Sequence, residues 1–225
     1  MRKILFLLCV VTFASTLHAQ ETRREVMFMT NKGNIRVALY NETPKHRDNF
    51  LKLVSEGFYD GVLFHRVINR FMIQAGDPES RHAQSGQMLG GSSEKYTVPA
   101  EIVYPKLFHK RGALAAAREG DRENPTRASS SSQFYIVYGR LSGDQMLDRM
   151  QERISQATGG TAKMTPEIRE TYKTIGGTPH LDGQYTVFGE VIEGLDVVED
   201  IEFVPTDEND RPKEDVRIIR AMVMN

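Results

Sequence analysis

Few side chains in this sequence could do covalent chemistry. Ser129, Ser130, Ser131 and Ser132 form a run, and with the histidines they could be imagined as a Ser–His–acid arrangement. No Gly-x-Ser-x-Gly elbow accompanies them, and a small-residue loop accounts for the serines better. His46, His65, His82, His109 and His180 lack metal-ligand spacing, so neither a metal nor a cofactor is expected. The only thiol is Cys9. What remains is chemistry by positioned donors and apolar surface. Between Phe64 and Asp77 the chain offers the guanidinium of Arg66, the amide of Gln74 eight residues on, and Phe71 and Met72 between them. Taken alone, Arg66 reads as a surface arginine in a strand and Gln74 carries no signal.

The elements that must hold these groups are short. Apolar residues alternate from Val26 to Tyr40 on both sides of Asn31-Lys32-Gly33-Asn34, which predicts a β-hairpin with Val26, Phe28, Ile35, Val37 and Leu39 facing one way and turn residues at positive φ. Thr43-Pro44 predicts an N-cap and a first helical residue, and the stripe Phe50, Leu51, Leu53, Val54 ends at Gly57. β-rich runs follow at 62–68, 71–74, 112–117, 133–138 and 185–192. A second helical stripe is Leu195, Val197, Val198, Ile201, and the chain closes on alternating Val216, Ile218, Ala221, Val223. Gln133 and Tyr135 share a strand face while Phe134 points to the core. Many short strands with two framework helices predict a mainly β antiparallel barrel or sandwich. Residues 139–179 break the rhythm. Met146, Leu147, Met150 and Ile154 predict one helix, Thr165-Pro166 with Ile168, Tyr172 and Ile175 another, and Gly159-Gly160 joins them. This is a helical hairpin inserted between strands, too short for a core of its own.

Composition sets outer bounds. With 225 residues, 40% hydrophobic, 26% charged and a net charge of -1, the chain is ordinary globular protein with no electrostatic pull toward nucleic acid. Arg2 and Lys3 precede an apolar run from Ile4 to Ala14, then the polar, small-residue stretch Ser15 to Gln20. That is the pattern of a secretory leader, residues 1–19, cleaved after Ala19; the run is too short for the roughly 20 residues of a membrane span. Cys9 lies inside it, so the exported chain, periplasmic or secreted, has no cysteine and no disulfide. No membrane span is expected after cleavage, and the chain is expected to be a monomer.

Phe64-His65-Arg66-Val67-Ile68-Asn69-Arg70-Phe71-Met72-Ile73-Gln74-Ala75-Gly76-Asp77 closely resembles the signature of the cyclophilins, in which Phe-His-Arg leads to Phe-Met-x-Gln-x-Gly-Asp. Ser132-Gln133-Phe134-Tyr135-Ile136 and Leu181-Asp182-Gly183 leading to Val187-Phe188-Gly189 agree in order. The resemblance covers Val26 to the C-terminus apart from the 139–179 insert. It implies one cyclophilin-like domain over residues 20–225: an eight-stranded antiparallel β-barrel capped by two α-helices, with its site on the outer barrel face. The activity implied is peptidyl-prolyl cis-trans isomerisation of X-Pro polypeptides, without a covalent intermediate. Arg66 would donate toward the prolyl nitrogen, Gln74 would brace it, and Phe71 and Met72 would receive the ring. Gln133 and Tyr135 would line the pocket, and Leu181 and Tyr185 would close its far wall. His65 is expected to be a satisfied structural histidine beside Arg66 rather than a general base.

Several positions depart from the family's pattern. His180 stands where well-known eukaryotic members carry the tryptophan that contacts cyclosporin, so weak cyclosporin binding is expected. Tyr185 replaces a frequent histidine, Ala117-Arg118 replaces Ala-Asn, and Tyr135 adds a hydroxyl where Phe is customary. The insert borders the pocket at both ends and reads either as a lid or extra substrate surface, or as a solvated decoration. A barrel that holds prolyl segments without turnover is the competing function. The presence of Arg66, which a pure binder has no need of, favours the enzyme.

Overall fold

The computed structural model describes residues 22–91 and 96–224, so the expected leader lies outside the described residues. β1 (Glu25–Thr30) and β2 (Gly33–Leu39) form the hairpin, with Thr30 paired to Gly33. Only Gly33 of the turn residues takes a positive φ, 136°, and a Cβ there would lie 2.7 Å from Cγ2 of Val197. That close approach is what requires glycine.

α1 (Pro44–Ser55) begins at proline as expected, but Thr43 does not cap it. The Thr43 hydroxyl turns back to the Tyr40 carbonyl, 3.5 Å away, and the cap comes from far along the chain. The Glu101 carboxylate accepts from the N–H groups of Lys45 at 3.1 Å and His46 at 3.0 Å. A full negative charge answers the helix dipole better than a hydroxyl. Glu101 also accepts from His46 Nδ1 at 2.7 Å, so Glu101→Ala should destabilise by about 2 kcal/mol, the combined scale of a lost cap and an orphaned buried donor. A lowered urea midpoint at unchanged slope is the expected reading, partly restored in Glu101→Gln.

The chain continues through β3 (Phe64–Ile68), β4 (Met72–Ala75), β5 (Thr97–Val98), β6 (Ala113–Ala116), β7 (Ser129–Ser130), β8 (Phe134–Val137), α2 (Asp144–Ala157), α3 (Pro166–Thr174), β9 (Val187–Glu193), α4 (Leu195–Glu202) and β10 (Ile218–Met224). Eight strands form one antiparallel sheet in the order β10-β1-β2-β9-β6-β8-β4-β3. Its two edges meet where Phe64 N–H donates to the Val216 carbonyl at 2.8 Å and Ile218 N–H to that of Val62 at 2.9 Å, closing a barrel. β5 and β7 make a separate two-stranded pair that the sequence pattern did not announce. α1 packs on β9 and β10, and α4 on β2, β3 and β4.

Strand alternation produces two cores. Phe134 and Ile136 of β8 point into the barrel with Phe28, Phe50, Tyr59 and Ile73, where the Phe28 and Phe134 rings stack at 5.4 Å. Tyr135 and Val137 point outward, joining Met72, Ala115 and Val187 on the barrel's outer face. The 139–179 segment leaves that face through a narrow neck. Gly177 N–H donates to the Arg140 carbonyl at 3.1 Å, and a Cβ on Gly139 would meet Gly177 backbone at 2.3 Å. α2 and α3 are the helices of the expected hairpin, joined through Gly159 and Gly160 at positive φ. Thr165 accepts from Ile168 N–H at the start of α3, while Ile175 falls beyond the helix end and is exposed. Leu147, Ile168 and Tyr172 pack against Tyr104 and Phe108 rather than forming an independent core. Among the described residues no helix is long and apolar enough to cross a membrane.

Candidate active site

A bulge in β3 positions the charged group. Phe64 pairs with Ala75 and Arg66 with Gln74, so β3 spends one more residue than β4 across this step, and that residue is His65. The extra residue lets Phe64 and Val67 both enter the barrel core while Arg66 faces outward beside Gln74. Arg66 Nη1 donates to Gln74 Oε1 at 3.5 Å, Gln74 Nε2 to Gln133 Oε1 at 2.9 Å, and Gln133 Nε2 to the Gly90 carbonyl at 2.9 Å. The guanidinium also meets Asp210, Nε to Oδ2 at 3.5 Å, with both side chains partly in solvent. A row of amides therefore runs from backbone to guanidinium.

Below Arg66 lies a cavity of about 180 Å³. One ordered water takes roughly 30 Å³, so a five-membered ring and its amide can enter. Phe71, Met72 and Tyr135 line it from the turn before β4, from β4 and from β8; Leu181 and Tyr185 close the far wall; Ala117 and Arg118 complete it. Phe71 is held by its own carbonyl, which accepts from Tyr138 N–H at 3.1 Å and Gly139 N–H at 3.0 Å. Arg118 is buried along its length. Its Nε donates to the Gln184 carbonyl at 2.9 Å, Nη1 pairs with Asp121, and the guanidinium lies 4.3 Å from the Tyr185 ring centroid.

Three of the expected residues lie outside this cavity. Gln133 stands behind Gln74 as its partner. His180 packs against the outer side of Phe71, ring centroids 5.4 Å apart. His65 is buried behind Arg66, and neither ring nitrogen has a partner at hydrogen-bond distance, so it is structural but not satisfied. Burial pushes its pKa down to about 4, against the opposing pull of Asp77 and the Leu63 carbonyl.

The Tyr135 hydroxyl has a partner that sequence spacing concealed. It bonds His109 Nε2 at 3.0 Å, His109 Nδ1 bonds Asp182 Oδ1 at 2.9 Å, and Tyr172 of α3 donates to Asp182 Oδ2 at 2.7 Å. All four side chains are buried. The pocket floor is thus tied to the insert through polar groups that satisfy one another, a connection whose disruption at any member strands a buried donor or acceptor. Burial holds the hydroxyls of Tyr135 and Tyr172 well above the usual phenol range, so both stay protonated.

A second chain imitates a catalytic triad. Ser129 Oγ lies 2.9 Å from His46 Nε2, and His46 Nδ1 meets Glu101. Ser129 is only 1% exposed, Phe188 covers the imidazole with ring centroids 5.9 Å apart, and Glu101 is committed to capping α1. No carbonyl substrate can reach this serine, so the arrangement is scaffold. Among the described residues no group of three or more His, Cys, Asp or Glu side chains is placed to hold a metal.

Comparisons with known proteins bear on the family and the fold. The family model described as cyclophilin type peptidyl-prolyl cis-trans isomerase/CLD matches residues 25–223. A Staphylococcus aureus (strain COL) protein named as a peptidyl-prolyl cis-trans isomerase is 37% identical over 201 residues, covering 88% of this chain and 91% of that protein. A similarly named Staphylococcus epidermidis protein is 36% identical over 200 residues, with the same coverage of 88% and 91%. The crystal structure of a Cryptosporidium parvum cyclophilin type peptidyl-prolyl cis-trans isomerase superposes with a TM-score of 0.64 at 26% identity, covering 90% of this chain and 98% of that one. A second structure of that protein, determined in the presence of the dipeptide Ala-Pro, gives 0.61 at 25%, covering 89% and 99%. With its signature strands, its outward arginine and the apolar pocket beneath it, the chain belongs to the cyclophilin-type peptidyl-prolyl cis-trans isomerases.

Proposed function

We propose that this isomerase turns X-Pro bonds by seating the proline ring against Phe71, Met72, Tyr135 and Leu181 while Arg66 donates to the prolyl nitrogen as it loses conjugation. Amide resonance sets the uncatalysed barrier at roughly 18–20 kcal/mol. In the planar amide the nitrogen lone pair is delocalised; in the twisted one it is free to accept. A donor fixed there binds the transition state better than the ground state, and only that difference raises the rate. Removing about 6 kcal/mol would accelerate rotation more than ten thousandfold.

The observation that carries this reading is the guanidinium set beside the Gln74–Gln133–Gly90 row at the rim of an apolar cavity. Apolar walls also disfavour the more polar planar amide, which works in the same direction. A barrel that only holds prolyl segments has no use for such a brace.

The clients are X-Pro segments of unfolded or exported polypeptides, and the chain works as an exported monomer. The basic start and apolar run within residues 1–19 support export. Protein recovered from its own cells should begin at Gln20, sediment as one chain and speed cis-to-trans relaxation of a short Ala-Pro peptide. No acceleration by a folded, monomeric preparation would leave prolyl binding without turnover as the function.

A further inference from the structure

The insert builds a second recess beside the pocket. It measures about 200 Å³, shares Phe71 with the proline cavity and is lined as well by His180, which packs on Phe71. Ile68 of β3 and Met146 and Met150 of α2 give it an apolar wall; Arg70 and Arg140 stand at its edge, and no carboxylate lines it. On the other side of the proline cavity a polar groove of about 390 Å³ shares Arg66 and Gln74 with it and passes Gly90 and Asp210. The bond that turns joins proline to the residue before it, and Arg66 serves that bond. On the isomerase reading the chain preceding proline runs toward the polar groove and the chain following it crosses Phe71. An extended chain advances roughly 3.3 Å per residue, so one or two residues carry it over a ring.

We propose that the recess of Ile68, Met146 and Met150 binds a long apolar side chain on the first or second residue after proline, giving this isomerase a substrate preference supplied by its insert. This rests on the isomerase reading and names its substrate class. Thioether side chains suit the task, because they adapt to differing apolar shapes. Cationic residues are disfavoured there by Arg70 and Arg140. The insert acts beside the site and not over it, since no lining residue of the proline cavity comes from 139–179.

The test compares Ala-Ala-Pro-Leu-Leu, Ala-Ala-Pro-Gly-Gly and Ala-Ala-Pro-Lys-Lys as substrates of the purified protein. Partial burial of one leucine predicts kcat/KM about five- to tenfold higher for the leucine peptide than the glycine peptide, with lysine lowest. Met146→Glu should bring the leucine peptide down to the glycine level, and Met146→Leu should keep the preference. Equal kcat/KM for all three, in an enzyme that still turns over the glycine peptide, overturns the recess while leaving the isomerase reading intact. An equal loss on leucine and glycine peptides in Met146→Glu does so too, since it marks a merely structural helix. Methionine-methyl NMR reads the recess without turnover: the Met146 and Met150 signals should move with the leucine peptide and stay with the glycine peptide, and unmoved signals overturn the proposal.

Discussion

Arg66→Ala is expected to lower kcat/KM for X-Pro isomerisation by about a hundred- to a thousandfold, with KM nearly unchanged and the fold intact. The magnitude is that of removing one positioned donor that serves the transition state more than the ground state, about 3–4 kcal/mol. The stability expectation follows from the surroundings. Arg66 is partly exposed and its ion pair with Asp210 is open to solvent at 3.5 Å, the class of pair worth 0–1 kcal/mol. Its contact to Gln74 is also 3.5 Å, and Gln74 keeps Gln133 when Arg66 is gone. Arg66→Lys should recover only part of the rate, because an ammonium is a point donor and cannot both hold Gln74 and reach the nitrogen. Line-shape or exchange NMR on an Ala-Pro peptide, beside thermal melts of the three proteins, checks it. A mutant retaining a tenth or more of the wild-type rate would remove Arg66 from the reaction.

The same residues show how much of this protein can be read from its sequence. Phe64 to Asp77 is local: the whole β3–β4 pair lies within 14 residues, so its types and order are visible together. The helices were legible from their 3.6-residue stripes, and the insert from the change of period. What sequence reading missed depends on residues far apart in the chain. Glu101 caps a helix 57 positions before it, displacing Thr43, the local candidate. His109 meets Tyr135 across 26 positions and Asp182 across 73, and no periodicity links them. The extra hydroxyl of Tyr135 was a clue that a buried partner must exist, since an unpaired phenol in an apolar floor is costly, but it could not say which residue. The Ser129–His46–Glu101 chain gives the opposite lesson: residue types that suit a triad say nothing until burial is known. The bulge at His65 has a similar character. Strict alternation along β3 would send either Phe64 or Val67 outward, and only the barrel's closure requires the slip that turns Arg66 to the surface.

That slip has a cost in acid. His65 is 3% exposed, and burial holds its pKa near 4 instead of 6.5, with Arg66 and Arg211 adding repulsion and Asp77 opposing it. In the folded state the imidazole stays neutral through mild acid, whereas in the unfolded chain it takes a proton near pH 6.5. The folded pKa is depressed, so this contribution to stability is fully present above pH 6.5, falls as the pH drops, and is exhausted near pH 4. The total is about 3 kcal/mol, of which about 2 should be gone at pH 5, against the 5–15 kcal/mol of an ordinary domain. Because neither ring nitrogen has a partner at hydrogen-bond distance, His65→Phe gives up at most the weak pull of the Leu63 carbonyl and removes the titration. Urea midpoints at pH 7.5 and pH 5.0 should differ strongly for the wild type and little for the mutant. Equal acid sensitivity in both would place the titrating group elsewhere. Since His65 is the extra residue of the bulge that aims Arg66, forcing a charge onto it should loosen the strand beside the proposed donor, and activity should fall in acid before the barrel unfolds.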